Sequence, residues 1–427
     1  MLRLLSSALA LCAGGFAQAQ LTAITNAELH MTDEDGAIIA DGTVLVRDGR
    51  IVAVGSDVAV PANARIIDAG GMPVTPGFFA PISAIGLVEI GLDEEGNDSS
   101  SDDRRLTASL SAADGFNEDS SVMDITRAGG ITRAFTVISN DESLFSGCGM
   151  VIAMRTGPEA IMQPCAAQSL TLGGAGAAMS GGSRASAMAR ARRAFENVES
   201  YVDDAQIYRL SEGEERLSPQ DARALRPVLE GERLLMVEAN SASDIRRVLT
   251  MKDRYGLRIA ILGGAEAWRV ADELAGEDVP VILNPTANLP SDFERIGASE
   301  EGAARLAERG IKVAFYDAGT AFTHNARLAP QMAGNAVASG MSYGDAMRAV
   351  TLTPAELFGL GDELGTIERG KRADLVIWGG DPFEVTVRPR TVLIDGEDLG
   401  IDNRQEKMAR RYRDLQRGEL PVQYRRP

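Results

Sequence analysis

Four side chains in this sequence are of types that move protons or hold a cation: Glu238, Glu266, Asp317 and His324. Asp317 ends the apolar run Lys312-Val313-Ala314-Phe315-Tyr316, and His324 follows in Thr323-His324-Asn325-Ala326-Arg327. A carboxylate as general base and an imidazole with an unperturbed pKa near ~6.5 as proton shuttle suit acid–base work near neutral pH. Against that stand plainer roles, in which Asp317 caps the following segment and His324 serves a helix start or a hydrogen bond. Glu238, Glu266 and Asp317 together can also offer oxygen ligands to Mg²⁺, Mn²⁺ or Ca²⁺. Three such acids in close contact without a metal drive at least one pKa upward; dispersed, they pair with nearby arginines. Trp268 and Tyr316 either line a pocket or pack in the core. His30 lies in a β-rich stretch and reads as structural or exposed. No cysteine has a histidine near it in sequence, so a thiol nucleophile is not indicated.

Positioning such groups requires a large scaffold. The chain has 427 residues, with 44% hydrophobic and 24% charged residues, which is ordinary globular composition and excludes a disordered or small disulfide-stapled protein. Lys and Arg number 43 against 61 Asp and Glu, a net charge of −18 that opposes nucleic acid and anionic lipid as partners. A small-molecule substrate or ligand is the expected partner. Only two histidines occur, whereas zinc hydrolases usually need two or three imidazoles in one site.

From Pro76 to Leu360, strand-like runs alternate with helical periodicity, the pattern of parallel βα units. The clearest strands are 131–138, 234–239, 258–262, 280–284 and 312–316. The clearest helices are 184–208, 243–254, 265–275, 301–308 and 342–350, the last leading into 353–358. About 280 residues of this kind fit a (β/α)₈ TIM-type barrel. A doubly wound open sheet lacks the expected G-x-G-x-x-G after its first strand. Both chain ends are β-rich: Thr43-Val44-Leu45-Val46 and Ile51-Val52-Ala53-Val54 flank the hairpin signal Asp48-Gly49, and 373–378 and 391–394 precede Asp395-Gly396. The expected organisation is therefore a composite β-sandwich from 20–75 and 361–400, a barrel over 76–360, and an Arg-rich helix or tail over 401–427. The acidic, Ser-rich 93–103 and the Gly/Ala/Ser-rich 173–183 read as loops or insertions; the former lacks the spaced acids of an EF-hand.

Residues 1–19 read as a secretory signal peptide: Arg3, an apolar stretch from Leu4 to Phe16, and the cleavage signal Ala17-Gln18-Ala19. The mature protein is expected to be periplasmic in a bacterium, with no membrane span. Cys12 leaves with the signal, so Cys148 and Cys165 remain, either as a disulfide or as two buried thiols.

Two frames resemble the amidohydrolase superfamily, in particular its imidazolonepropionase-like, secreted branch. The first is Gly49-Arg50-Ile51-Val52-Ala53-Val54-Gly55, then Ile67-Asp68-Ala69-Gly70-Gly71 and Thr75-Pro76-Gly77-Phe78. The second is Thr351-Leu352-Thr353-Pro354-Ala355-Glu356, then Gly365 to Val376. The resemblance implies a β-sandwich beside a metal-centred barrel that hydrolyses C–N bonds other than peptide bonds through a metal-activated water. It also implies His-x-His a few residues after the Pro-Gly frame, where Ile82 and Ala84 stand. Glu238 replaces a third histidine, and Leu262-Gly263-Gly264 stands where another is expected. The four lysines are Lys252, Lys312, Lys371 and Lys407, so none is placed for the family's bridging lysine. Asp317 matches the family's eighth-strand aspartate. The expectation is a degenerate member, without its zinc-type cofactor and catalytically impaired, or a non-catalytic ligand- or partner-binding barrel. A divalent metal held by carboxylates is the remaining cofactor option.

Overall fold

Alternation along eight central strands sends one set of side chains inward and the next outward. In the computed structural model, which describes residues 21–33, 36–90, 95–210, 216–316 and 324–413, these are β1 (Phe78–Ser83), β2 (Ile131–Thr136), β3 (Phe145–Ala153) and β4 (Ile161–Thr171), followed by β5 (Leu234–Ala239), β6 (Ile259–Gly263), β7 (Val281–Leu283) and β8 (Val313–Phe315). They form one sheet in sequential order. Its edges β1 and β8 curl together, since Ala80, Ile82, Phe315 and Tyr316 line a single small void. The architecture is a TIM-type barrel. Phe79, Ile82, Phe135, Val151, Leu234, Met236, Ala260, Ile282 and Ala314 fill its interior as one apolar cluster. Leu235, Val237, Ile261, Val281 and Val313 face outward, in the core shared with the helices.

The barrel departs from the expected parallel βα repeat at one strand. β1 runs parallel to β2 and β4 through β8 are parallel, but β3 is antiparallel to both neighbours. The reason lies in the connections. A parallel neighbour needs a crossover of roughly a dozen residues, whereas 137–144 and 154–160 are too short, so the chain turns back at each. The Cys148–Cys165 disulfide then joins β3 to β4, with Cα atoms 5.3 Å apart, which decides between the two states of these cysteines.

Helices α1 (Arg184–Asp203), α2 (Pro219–Leu229), α3 (Ala242–Tyr255), α4 (Gly302–Ala307), α5 (Ala329–Ala338), α6 (Tyr343–Val350) and α7 (Leu352–Leu357) surround the barrel. Ser218, Ser241 and Ser342 each accept the N–H of an Asp three residues on, closing the first turns of α2, α3 and α6. The single helix expected over 184–208 breaks at Asp204, which starts the short helix Ala205–Leu210 by accepting from Gln206 and Ile207 N–H. Residues 173–183 are not all loop, for Gly173–Met179 is helical. The Arg-rich C-terminal stretch is helical and exposed over Arg404–Arg413. The expected signal segment 1–19 lies outside the described residues. Among the described residues, no helix is long and apolar enough to cross a membrane.

Strands from both chain ends share one further sheet: Leu21–His30, Ile38–Arg47, Arg50–Gly55, Arg65–Asp68 and Pro73–Pro76 from one end, and Leu375–Trp378, Pro389–Ile394 and Glu397–Asp398 from the other. Pro73–Pro76 joins the halves, lying parallel to the first strand and antiparallel to Leu375–Trp378. Only Gly77 separates it from β1. The sheet therefore sits at the start of the barrel strands, and buried Arg133 of β2 bridges the two bodies: its Nε and Nη2 donate to Asp374 at 2.6 and 2.8 Å, and Nη2 lies 3.0 Å from Asp395. Burial opposes this charge, but the two carboxylates hold its pKa above the ordinary Arg value. Beside it, Phe358 stacks on Phe135 at 4.4 Å and closes that end of the interior.

Candidate functional site

The other end of a TIM-type barrel, where the strands finish, is where such folds do chemistry. Alternation along β5 from Leu234 and Met236 brings Glu238 to that mouth, half-buried, with no hydrogen-bond or ion-pair partner among the described residues. Burial pushes its carboxyl pKa up; Arg295 draws it back and Glu294 adds to the rise. Such a group holds a proton more readily than an ordinary glutamate and can act as acid or base once a substrate lies within reach.

Beside it opens a cavity of about 400 Å³, formed by the residues that end β5 to β8: Asn240, Gly263, Asn284 and Tyr316, with Trp268 and Arg295 from the following loops. Trp268 is fixed by its indole N–H, which donates to Gly297 O at 2.8 Å. Asn240 is 3% exposed and has no side-chain hydrogen bond to the rest of the described chain, so its amide is offered to the cavity. The lining is mostly uncharged and carries both donors and acceptors. The volume and the few convergent polar groups match a small-molecule site.

Glu266 does not share this role. Its Oε2 accepts Ala242 N–H at 3.0 Å and its Oε1 accepts Gly297 N–H at 2.8 Å, so it braces the start of α3 against the loop after β7. Asp317 lies outside the described residues. His324 opens the 3₁₀ turn His324–Leu328. His30, expected to be structural or exposed, is buried in the terminal sheet, 3.0 Å from Glu28 and tilted against Tyr343. Trp268 and Tyr316, for which core packing is the commoner expectation, both line the cavity. Sequence reasoning did not single out Asn240, Asn284 or Arg295; the signal for the two asparagines was their place just after strand ends, while Arg295 ends a 3₁₀ turn farther along the loop after β7.

The metal positions implied by the sequence resemblance are filled by something else. Ile82 belongs to the apolar interior cluster and Ala84 is buried. Gly263 has φ +93°, and a Cβ there would lie 2.5 Å from Asn240 Oδ1, so a histidine would strain the backbone and displace the Asn240 amide. Among the described residues no three His, Cys, Asp or Glu side chains converge as a metal site. The described donors do not fit a histidine-ligated centre.

Comparison with known proteins bears on the fold. The Amidohydrolase family model matches residues 238–399. An imidazolonepropionase of Caldanaerobacter subterraneus is 44% identical over 78 residues, 18% of either chain, and one of Thermoanaerobacter pseudethanolicus is 26% identical over 31% of this chain and 36% of its own. An amidohydrolase of Hapsidospora irregularis is 44% identical over 13% of this chain. This chain thus spans only 6%, 18% and 36% of these relatives' lengths. Among solved structures, an amidohydrolase from Thermotoga maritima superposes with a TM-score of 0.79 at 26% identity, covering 89% of this chain and 99% of its own. Molinate hydrolase, with a TM-score of 0.55 and 16% identity over 90% and 96% of the two chains, shares the fold.

Proposed function

We infer that this chain, whose fold and sequence matches support the amidohydrolase superfamily, is a periplasmic member that has lost the His-x-His motif. It keeps the barrel mouth as a binding site for a neutral, amide-bearing small molecule. The observation that carries this reading is the exchange at Gly263 and Asn240: where a ligand histidine would stand, a buried amide faces the cavity instead. An amide matches both the N–H and the C=O of a substrate-like lactam or amide, and Trp268 offers it an apolar wall. Fold alone does not carry catalysis over, and the hydrolytic water would need a cation to bring its pKa from ~15.7 toward neutrality.

A second reading rests on Glu238. An unpaired, half-buried carboxyl at the mouth is a candidate base or oxygen ligand, and with Asp317 and His324 it would serve a hydrolase of non-peptide C–N bonds that takes Mg²⁺ or Mn²⁺. The two readings separate on the full chain. Thermal denaturation against 2-pyrrolidinone, hydantoin and related neutral amides is expected to raise Tm with at least one of them. Binding at ~100 times Kd is worth ~2.7 kcal/mol, and the shift should vanish in Asn240→Ala measured against its own unliganded Tm. Stoichiometric metal in protein purified without chelators, together with a hydrolytic activity lost in Asp317→Asn, would sink the binding-only reading.

A further inference from the structure

The loop after β7, residues 284–300, supplies one wall of the mouth cavity and also holds three large apolar side chains in solvent. Leu289 lines the cavity and is 76% exposed, and Phe293 and Ile296 are 91% and 61% exposed. Phe293 opens the 3₁₀ turn Phe293–Arg295, whose three residues per turn bring Phe293 and Ile296 to the same side. Each stands within two residues of a lining side chain, Ser291 or Arg295, so the apolar surface continues from the cavity wall over its lip.

This exposure belongs to a braced backbone. Gly297 N–H donates to Glu266 Oε1 and Gly297 O accepts the Trp268 indole N–H, both at 2.8 Å. At the other end of the loop Asn284 Oδ1 accepts Thr286 N–H at 2.9 Å, and in its middle Glu294 pairs with Arg184 of α1. Turning the apolar side chains inward would break these contacts.

Size and charge choose among the occupants. Three such side chains expose on the order of a few hundred Å², the scale of a functional patch on a monomer but short of the roughly 800 Å² per partner that a stable dimer buries. Within the loop Asp292, Glu294 and Glu300 stand against Arg295, with Arg184 answering Glu294 from outside, and the chain as a whole carries −18. Neither an anionic lipid surface nor a second copy gains attraction there. What the patch does have is continuity with the cavity, through Leu289 and beside Trp268.

We propose that the ligand of the mouth is a long-chain amide: its amide head meets Asn240 while an unbranched apolar tail runs past Trp268 and Leu289 and over the lip onto Phe293 and Ile296. The proposal names the ligand class of the site read above as an amide site and rests on that reading. A chain of eight carbons is longer than a compact cavity of about 400 Å³ is wide, so its end reaches the lip. Each methylene that leaves water there adds to binding without any new polar contact.

Calorimetric titration of the full chain with butanamide, hexanamide and octanamide tests this. Affinity should rise about two- to fourfold per methylene, and at least about tenfold over the series. Phe293→Ser/Ile296→Ser, at two exposed positions, should cut that rise to about threefold or less. Ile66→Ser, whose parent residue is likewise 61% exposed but lies on the terminal sheet, should leave the rise intact. If none of the three amides binds, the amide reading falls and the tail with it. Binding without dependence on length, or a double variant that keeps the whole rise, overturns the tail alone, and so does octan-1-ol binding as tightly as octanamide. Sedimentation of the unliganded parent at rising concentration should show one species, and phosphatidylcholine vesicles should not carry the protein with them on flotation. A dimer, or vesicle binding, that the double variant abolishes would assign the patch to a second copy or to a lipid surface and overturn the proposal.

Discussion

The two ends of the barrel treat charge in opposite ways. Where the strands begin, Arg133 is almost wholly enclosed and each of its charged neighbours is answered: Asp374 also accepts Asp395 N–H, and Asp395 is shared with Arg372. Where the strands end, Glu238 is half-buried with no hydrogen-bond or ion-pair partner among the described residues, only the field of Arg295 drawing its raised pKa back, next to a cavity lined by amides. Paired charge at the starts of strands fixes how the terminal sheet meets the barrel. Unpaired polarity at their ends is what a ligand can use. The contrast assigns stability to one end and recognition to the other, and it can be broken experimentally at either.

The largest effect is expected at the paired end. Arg133→Met leaves buried Asp374 without a cation, Asp395 keeping Arg372, and should cost ~3–5 kcal/mol in urea denaturation, because breaking a buried pair strands the remaining charge. Amide binding at the mouth should persist in the folded fraction. A loss below ~1 kcal/mol would mean that the charge is not enclosed as described.

An intermediate effect belongs to the reversed strand between the two ends. Cys148 and Cys165 are 17 residues apart, and replacing both by serine should lower stability by ~3 kcal/mol by releasing loop entropy in the unfolded chain. Non-reducing mass spectrometry with thiol labelling checks the bridge, and free thiols in the native protein would remove this expectation.

The smallest effect, and one of opposite sign, is expected at the mouth. Because Glu238 has a folded-state pKa above its unfolded value, its contribution favours the native state at low pH. That contribution is lost as pH rises from the ordinary glutamate value through the raised one. Glu238→Gln should therefore be slightly more stable than the parent at neutral pH, and the two Tm curves should converge at acid pH. A lower Tm for the variant at neutral pH would show that Glu238 has a stabilising partner after all and would erase the contrast between the ends.

Most of the barrel was legible because local rules and tertiary demands agree. The run Leu234–Ala239 is a strand as read, and Ser-x-x-Asp starts three helices whose apolar faces repeat at helical spacing. The reversed β3 was not legible in the same way. Its residues Phe145–Ala153 include two glycines that weaken the strand pattern, and one of them, Gly149, has no room for a side chain: a Cβ would lie 2.3 Å from the Phe135 ring. That constraint exists only once β2 and β3 are side by side. Arg133 likewise reads as one arginine among many, since its partners lie some 240 residues away in sequence.

The candidate site divides along the same line. Residue types alone raised the expectation that the zinc-type centre is missing: two histidines are fewer than such a site usually takes, and none of the four lysines stands where the resemblance places the bridging one. Strand alternation also put Glu238 at the mouth. Only the tertiary structure decided that Asn240 fills the space beside Gly263 and that Glu266 is spent on two backbone N–H groups. The physical reason is range. Periodicity, capping and residue chemistry act within a few positions and survive in one dimension, whereas steric exclusion and charge pairing act between segments that are neighbours only after the barrel has closed.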